Sequence, residues 1–232
     1  MYKHLYDIFR HWYHGGTVYF YSDPHFSDPE MKYLRKNYIG DEEQVKRINR
    51  VVGKNDTIIF LGDIHNIEFI RKIRGYKVLI QGNHDTGATN YKKTKLDLLA
   101  NKSEFTLEEL KKSLCRNYPK YKFNITFTSA YWHIELDDCL FDEVYEGPLM
   151  ISEKILLSHE PIDLPFVFNI CGHDHSNTQF KDDRHYNMCA EHINYTPVCI
   201  KEIINSGKLK NIDSIHRQTI DKATERKKKR NE

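Results

Sequence analysis

The chain has 232 residues, with 39% hydrophobic and 12% aromatic side chains. That length can bury a sizeable core without disulfides, and with a mean hydropathy of −0.69 it excludes a membrane protein and a disordered chain. Lys plus Arg is 35 against 33 Asp plus Glu, a net charge of +2, but residues 217–232 hold seven basic and three acidic groups, so the body is slightly acidic. A slightly acidic body with a basic tail is weak evidence for nucleic-acid binding by the fold itself. The five cysteines are odd in number and lack C-x-x-C spacing, which points to free thiols, not a disulfide framework or a cysteine zinc site. Residues 1–10 include Asp7 and lack the apolar run and cleavage site of a signal peptide, so the expectation is a soluble cytoplasmic protein.

In chain order, Tyr2, Leu5, Tyr6, Phe9 and Tyr13 share one helical face and predict an N-terminal helix. Residues 17–22 are nearly all apolar, β-branched or aromatic, and predict a buried strand. Asp41 is placed to cap a helix running to about Val52. A strand over 57–61 follows, then a helix carrying Ile67, Ile70 and Ile73 that Gly75 stops, then a strand over 77–80. Residues 86–132 interrupt this rhythm and read as an insertion or lid beside the site. Within it, Thr106-x-x-Glu109 is a capping box, Phe105 and Leu110 are placed as a hydrophobic staple, and the helix should run from Leu107 to about Asn117. Strands over 154–158, 166–171 and 196–200 complete one α/β domain, 1–212, followed by a basic helix or tail, 213–232.

Five predicted strands run into polar residues of one kind. They lead into Asp23-Pro24-His25, Asp63, Asn83-His84-Asp85, His159 and His173-Asp174-His175. Loops at the carboxyl ends of strands gather in one crevice of an open α/β sheet, so these distant residues should become neighbours. Carboxylate, imidazole and amide carbonyl without thiolate suit Mn, Fe, Zn or Ni, and are too nitrogen-rich for a dedicated Mg or Ca site. One tetrahedral ion takes four ligands; Asp23, His25, Asp63, Asn83, His159, His173 and His175 suffice for two ions sharing a bridging carboxylate. Such a pair clamps a phosphate and holds a hydroxide for in-line attack. His84 is then left beside the ions to protonate a leaving oxygen, with Asp85 available to orient its ring. Each motif alone is weak, and the other histidines (His4, His11, His14, His65, His133, His185, His192 and His216) read as packing or surface residues; the force lies in five motifs in order, each directly after an apolar run.

These motifs (Asp23-x-His25, Gly62-Asp63, Gly82-Asn83-His84-Asp85, His159 and Gly172-His173-x-His175) resemble those of the calcineurin-like metallophosphoesterases over about residues 17–203. LSHEP at 157–161 and NYTPV at 194–198 resemble the small bacterial and phage predicted phosphoesterases. The resemblance implies a four-layer α/β/β/α sandwich of two mixed sheets flanked by helices. It also implies Asp23, His25 and His175 on a first metal, Asp63 bridging, Asn83, His159 and His173 on a second, and His84 as general acid or phosphate donor; manganese is the first expectation, then Fe, Zn or Ni. Ile64-His65-Asn66 follows Gly62-Asp63 where the protein phosphatases carry an acidic residue and an arginine, and Asp85 replaces their glutamate, which argues against phosphoprotein substrates.

The expected function is hydrolysis of a small phosphomonoester or phosphodiester, with no membrane partner. The alternative is a nuclease or RNA-processing phosphodiesterase using the basic tail with Lys92, Lys93 and Lys95 against a nucleic-acid backbone. A non-catalytic binding module is disfavoured because no ligand position is missing.

Overall fold

The computed structural model describes residues 5–13, 15–85, 87–176 and 183–231. Tyr2, His4, His14 and Thr86 lie outside them. The chain opens on a 3-10 segment, Asp7–Tyr13, followed by β1 (Val18–Tyr21), α1 (Met31–Leu34), α2 (Asp41–Val51), β2 (Thr57–Phe60) and β3 (Tyr76–Ile80). Then come β4 (Lys95–Asn101), α3 (Leu107–Asn117), β5 (Lys122–Phe127), β6 (Tyr131–Asp137), β7 (Glu143–Tyr145), β8 (Leu149–Met150) and β9 (Ile155–Leu157). The chain closes with β10 (Phe168–Cys171), β11 (His185–Asn187), β12 (Val198–Cys199), α4 (Ile200–Asn205) and α5 (Ile215–Asn231).

The result is a mixed α/β fold with three sheets. The first has the order β12-β1-β2-β3-β7, all parallel except β12. The second runs β11-β10-β9-β8, with β9, β10 and β11 parallel and β8 antiparallel. Successive strand residues point to opposite faces, and the first sheet is apolar on both. Val18, Phe20, Ile59, Leu61, Val78 and Ile80 share a core with Ile155, Leu157, Phe168 and Ile170 of the second sheet. Their neighbours Tyr21, Ile58, Phe60 and Leu79 pack with Val45 and Ile48 of α2 and with Ile70. On the second sheet, Asn169 Oδ1 accepts a hydrogen bond from Ile162 N, and its amide donates to Leu156 O and Ser158 Oγ.

Several expectations need correction. The N-terminal segment is a 3-10 helix, and its buried side is Leu5, Phe9 and Trp12 while Tyr6 is exposed. Trp12 Nε1 donates to Glu143, which ties the segment to β7. Asp41 does not cap α2: Gly40 is the N-cap, at φ +80°, and the Asp41 carboxylate accepts from Ser27 N and Tyr38 OH. The turn at Ile67–Lys72 is 3-10, capped by Asn66. By contrast α3 covers Leu107–Asn117 with the Thr106/Glu109 capping box formed on both sides.

The inserted segment is more than one helix. β4, β6 and β5 form a third, antiparallel sheet, and α3 packs on it through Leu110, Leu114, Ile134 and Leu136. It therefore extends to Asp137, past the expected end at Trp132. Its attachment runs through the Ile67–Lys72 turn, where Arg71 bonds the carbonyls of Lys120 and Asp138, and Lys120 Nζ reaches Glu68. α5 buries none of its described residues, and no described helix is long and apolar enough to cross a membrane.

Candidate metal centre

β1, β2 and β3 are parallel, as are β9 and β10, so each sheet delivers its ligand loops at one end. Backbone bonds tie the loops within each sheet, and the bond from His173 N to Asp23 joins the two ends. Gly172 N donates to His159 O at 2.8 Å, His173 N to Asp23 Oδ2 at 3.0 Å, and Asp23 N to Gly62 O at 3.1 Å. Two glycines of the motifs are steric requirements. Gly62 adopts φ +101°, and a Cβ there would collide with His159 Nδ1 and the Gly82 backbone. A Cβ at Gly172 would strike Asp23 Oδ2 and Ser22 Oγ.

The seven predicted ligands come together in two clusters. Asp23, His25 and His175 form one, and Asp63, His159 and His173 the other; within each, the donor atoms lie within 4.8 Å of one another. In the first, His175 Nε2 is 3.4 Å from Asp23 Oδ1 and 3.3 Å from His25 Nε2. In the second, Asn83 Oδ1 is 2.8 Å from His159 Nε2 and 3.2 Å from His173 Nδ1, and the two histidine nitrogens are 3.1 Å apart. One oxygen reaches both clusters: Asp63 Oδ2 is 3.5 Å from His25 Nε2 and 3.3 Å from His159 Nε2. Its other oxygen accepts from His84 N at 3.0 Å.

Tautomers and charge follow from these contacts. His159 Nδ1 lies 2.7 Å from Leu61 O, so Nδ1 is the protonated nitrogen in the neutral ring and Nε2 turns to the cluster. Burial alone would raise the pKa of Asp63, but hydrogen bonds from His159 and His25 outweigh it and hold the carboxylate far below its ordinary value. Asp23 is lowered likewise, burial being overcome chiefly by His175. Burial pulls the two histidines down, but Asp63 lifts His159 to about 9, and Asp23 with Glu191 lifts His175 to about 9. Asp23 Oδ1 is buried without a hydrogen-bond donor among the described residues. A buried carboxylate oxygen that faces imidazole nitrogens without a hydrogen bond is costly unless a cation, a protonated imidazole or a metal ion, meets it. The donor set, oxygens plus four imidazoles without thiolate, fits borderline divalent ions.

His84 and Asp85 divide differently from expectation. The His84 ring is exposed, 5.4 Å centroid to centroid from the edge-on ring of His25. Asp85 does not orient it. The buried Asp85 carboxylate accepts the backbone N–H groups of Asp63 (2.8 Å), Ile64 (3.0 Å) and Gly82 (2.9 Å), clasping the two ligand loops to each other. Burial pushes its pKa up in spite of these three bonds.

The structure adds residues that the motifs did not reveal. Glu191 Oε1 lies 2.6 Å from His175 Nδ1, and Glu191 Oε2 lies 3.1 Å from buried Arg35 Nε. Arg35 Nη2 also donates to Asp23 O at 2.6 Å. One guanidinium thus steadies both a ligand loop and the carboxylate that orients a second ligand. Cys189 Sγ lies 3.3 Å from Asp23 Oδ2, and burial pushes that thiol far up. Glu191 follows β11, a three-residue strand too short to recognise by pattern; its parallel pairing with β10 points its carboxyl end towards the site. His65 lies near His25, with ring centroids 6.3 Å apart. Of the lysines considered for a nucleic-acid backbone, Lys93 is held by Asp137 at 2.7 Å and Asp142 at 3.1 Å.

No family model matches the chain, and no curated protein matches it. Among solved structures it is similar to the crystal structure of the protein of unknown function AQ665 from Aquifex aeolicus, at 21% identity and a TM-score of 0.48, over 82% of this chain and 98% of that one.

Proposed function

We propose that this chain is a metal-dependent phosphoesterase that hydrolyses a small phosphomonoester or phosphodiester. The observation that carries the reading is Asp63 Oδ2, one carboxylate oxygen within 3.5 Å of a histidine nitrogen in each of two ligand clusters. Asp23, His25 and His175 would hold one divalent ion, Asn83, His159 and His173 a second, with Asp63 between them. Manganese heads the candidates, and Fe, Zn or Ni suit the same donors. Bound there, such a pair supplies Lewis acidity to a phosphoryl group and to water. The four-layer α/β/β/α sandwich belongs to the same reading, supported by the core common to two sheets and by α2 on the outer face of the first.

In the reaction a water oxygen bonds to phosphorus, the bond from phosphorus to the ester oxygen breaks, and a proton passes to that leaving oxygen. His84 is the proposed donor. Its backbone is tied to Asp63, and its exposed ring stands beside His25 without a hydrogen bond among the described residues. Glu191 and Arg35 hold His175 and the Asp23 loop, and Asp85 holds the loops of Asp63 and Asn83.

The test is a rate comparison in metal-replete protein. His84→Ala keeps its metal and loses about 10²–10⁴-fold on alkyl phosphoesters, where the leaving oxygen needs a proton, and far less on nitrophenyl esters. A metal-loaded native protein that hydrolyses neither monoesters nor diesters overturns the reading. Equal losses on both ester types remove His84 from the acid role.

A further inference from the structure

A cavity of about 310 Å³ opens onto Asn83 and His159 on one side of the centre. Its wall includes Gln81, Glu146, Pro148, Glu160, Pro161 and Ile162. Glu146 follows β7 in the first sheet, and Glu160 follows β9 in the second. The cavity therefore joins the two sheets at the same end as the ligands. Neither carboxylate has an ion pair or hydrogen-bond partner among the described residues, and no Lys or Arg is among the described lining residues. Two other carboxylates of the centre are matched: Glu191 by Arg35 and His175, Asp63 by His25 and His159.

From this we infer that the cavity is the leaving-group subsite and selects a phosphoester whose organic part carries a protonated amine, an aminoalkyl phosphate. The inference rests on the phosphoesterase reading and names its substrate class. A phosphoryl group held at the Asn83 and His159 side has its ester substituent in this cavity. Pro148, Pro161 and Ile162 give an apolar wall for a short alkyl chain, and the volume is at the small end of ligand sites. Glu146 and Glu160 then meet the far end of that chain. An ammonium gains two opposite charges, a hydroxyl gains hydrogen-bond acceptors only, and a carboxylate or second phosphate is repelled. A polynucleotide, with a phosphate on every residue, is among the rejected ligands, so the acidic wall also argues against the nuclease alternative.

Two exposed carboxylates give discrimination on the order of ten-fold for each step from cation to neutral to anion. The measurement is kcat/KM of metal-replete protein for O-phosphoethanolamine, 2-hydroxyethyl phosphate and phosphoglycolate, in that expected order. Non-hydrolysable partners, 2-aminoethylphosphonate and phosphonoacetate, are compared by calorimetric binding to the same protein, and the amine is expected to bind tighter by at least ten-fold. Glu146→Gln combined with Glu160→Gln should bring both ratios towards one. Equal or reversed preference in the native protein overturns the subsite, and an unchanged preference in the double variant overturns the role of the two carboxylates. Absence of hydrolysis of every ester, nitrophenyl phosphate included, instead sinks the phosphoesterase reading, while the phosphonate ratio still decides the charge selectivity of the cavity.

Discussion

The loops that carry Asp23, His25, Asp63 and His173 put those residues at φ of +52°, +43°, +55° and +70°, whereas the inserted unit, 95–137, has no non-glycine residue at positive φ. Left-handed backbone at a non-glycine residue persists only where its surroundings over-determine it. At the centre they do: His25 N donates to Asp63 O, Asp23 N to Gly62 O, and the N–H groups of Asp63 and Ile64 go to Asp85. Aspartate and histidine are also among the residue types that best tolerate this conformation, so one choice of side chain suits both the backbone and the proposed ligation. The inserted unit rests on the opposite principles. It has a relaxed antiparallel sheet, a fully capped helix and a core of Leu110, Leu114, Ile134 and Leu136, with Leu99 and Phe127 exposed. Left-handed backbone thus sits in the loops that carry the candidate ligands, and regular structure sits in the inserted unit.

The largest expected effect separates ligation from that strain. Asp63→Asn keeps an oxygen for His84 N but removes the charge between the two clusters. Both ions should be lost, and hydrolysis with them, while the fold persists. Metal analysis of the purified variant decides: two retained ions per chain with normal turnover refute a bridging role. Next in size is Asp85→Ala, which strands three backbone N–H groups at the loops of Asp63 and Gly82. An unsatisfied buried donor costs about 1–3 kcal/mol, so the loss should be at least 3 kcal/mol by denaturant unfolding. Asp85→Ala as stable as the native protein would show that the strain is held elsewhere.

The same contrast explains what the sequence revealed. That the seven candidate positions would come together was legible because each follows a buried strand closely, and parallel strands converge at one end. Asp85 was assigned to the His84 ring because its position beside a catalytic candidate suggested a partner, whereas its bonds run to backbone groups that no motif displays. Glu191 and Arg35 were missed because they reach the site across distant segments, Glu191 through His175 and Arg35 through the Asp23 carbonyl. In the inserted unit the capping box located α3, but the strands were overlooked although Phe123, Ile125 and Phe127 alternate with polar residues, as do Trp132, Ile134 and Leu136. The N-terminal helix was misread because a 3-10 turn buries a different set of residues from the face that an α-helix would present.

A third, smaller effect tests whether the two regions are independent. Leu114 is one of four buried residues that hold α3 on the third sheet. Leu114→Ala should cost about 2–5 kcal/mol, concentrated in that unit. Hydrogen exchange should then quicken over residues 95–137 while metal content and the nitrophenyl ester rate stay at native values. Loss of metal together with the unit would make it a buttress of the centre, and the comparison between the regions would fail.

The smallest effect is expected at α5. The helix buries none of its described residues, with Ile215 56% and Ile220 42% exposed, and the ion pair between Arg217 and Asp221 lies within the helix itself. The last inward anchors before it are Ile212, packed in the shared core, and Ser214, whose hydroxyl lies 3.5 Å from Glu153 Oε2. A chain ending after Ser214 keeps both anchors, and the three sheets of the described residues are already complete by Cys199. Its rate on a small ester should therefore match the native rate within about two-fold, since a terminal element that buries none of its described residues tolerates removal. The basic residues of α5 give the truncation a second readout, the salt dependence of oligonucleotide binding. Loss of that binding with the small-ester rate intact would make α5 a polyanion-binding arm remote from catalysis. A large fall in the small-ester rate would mean instead that the helix supports the centre, and that the difference between strained core and relaxed periphery does not extend to the end of the chain.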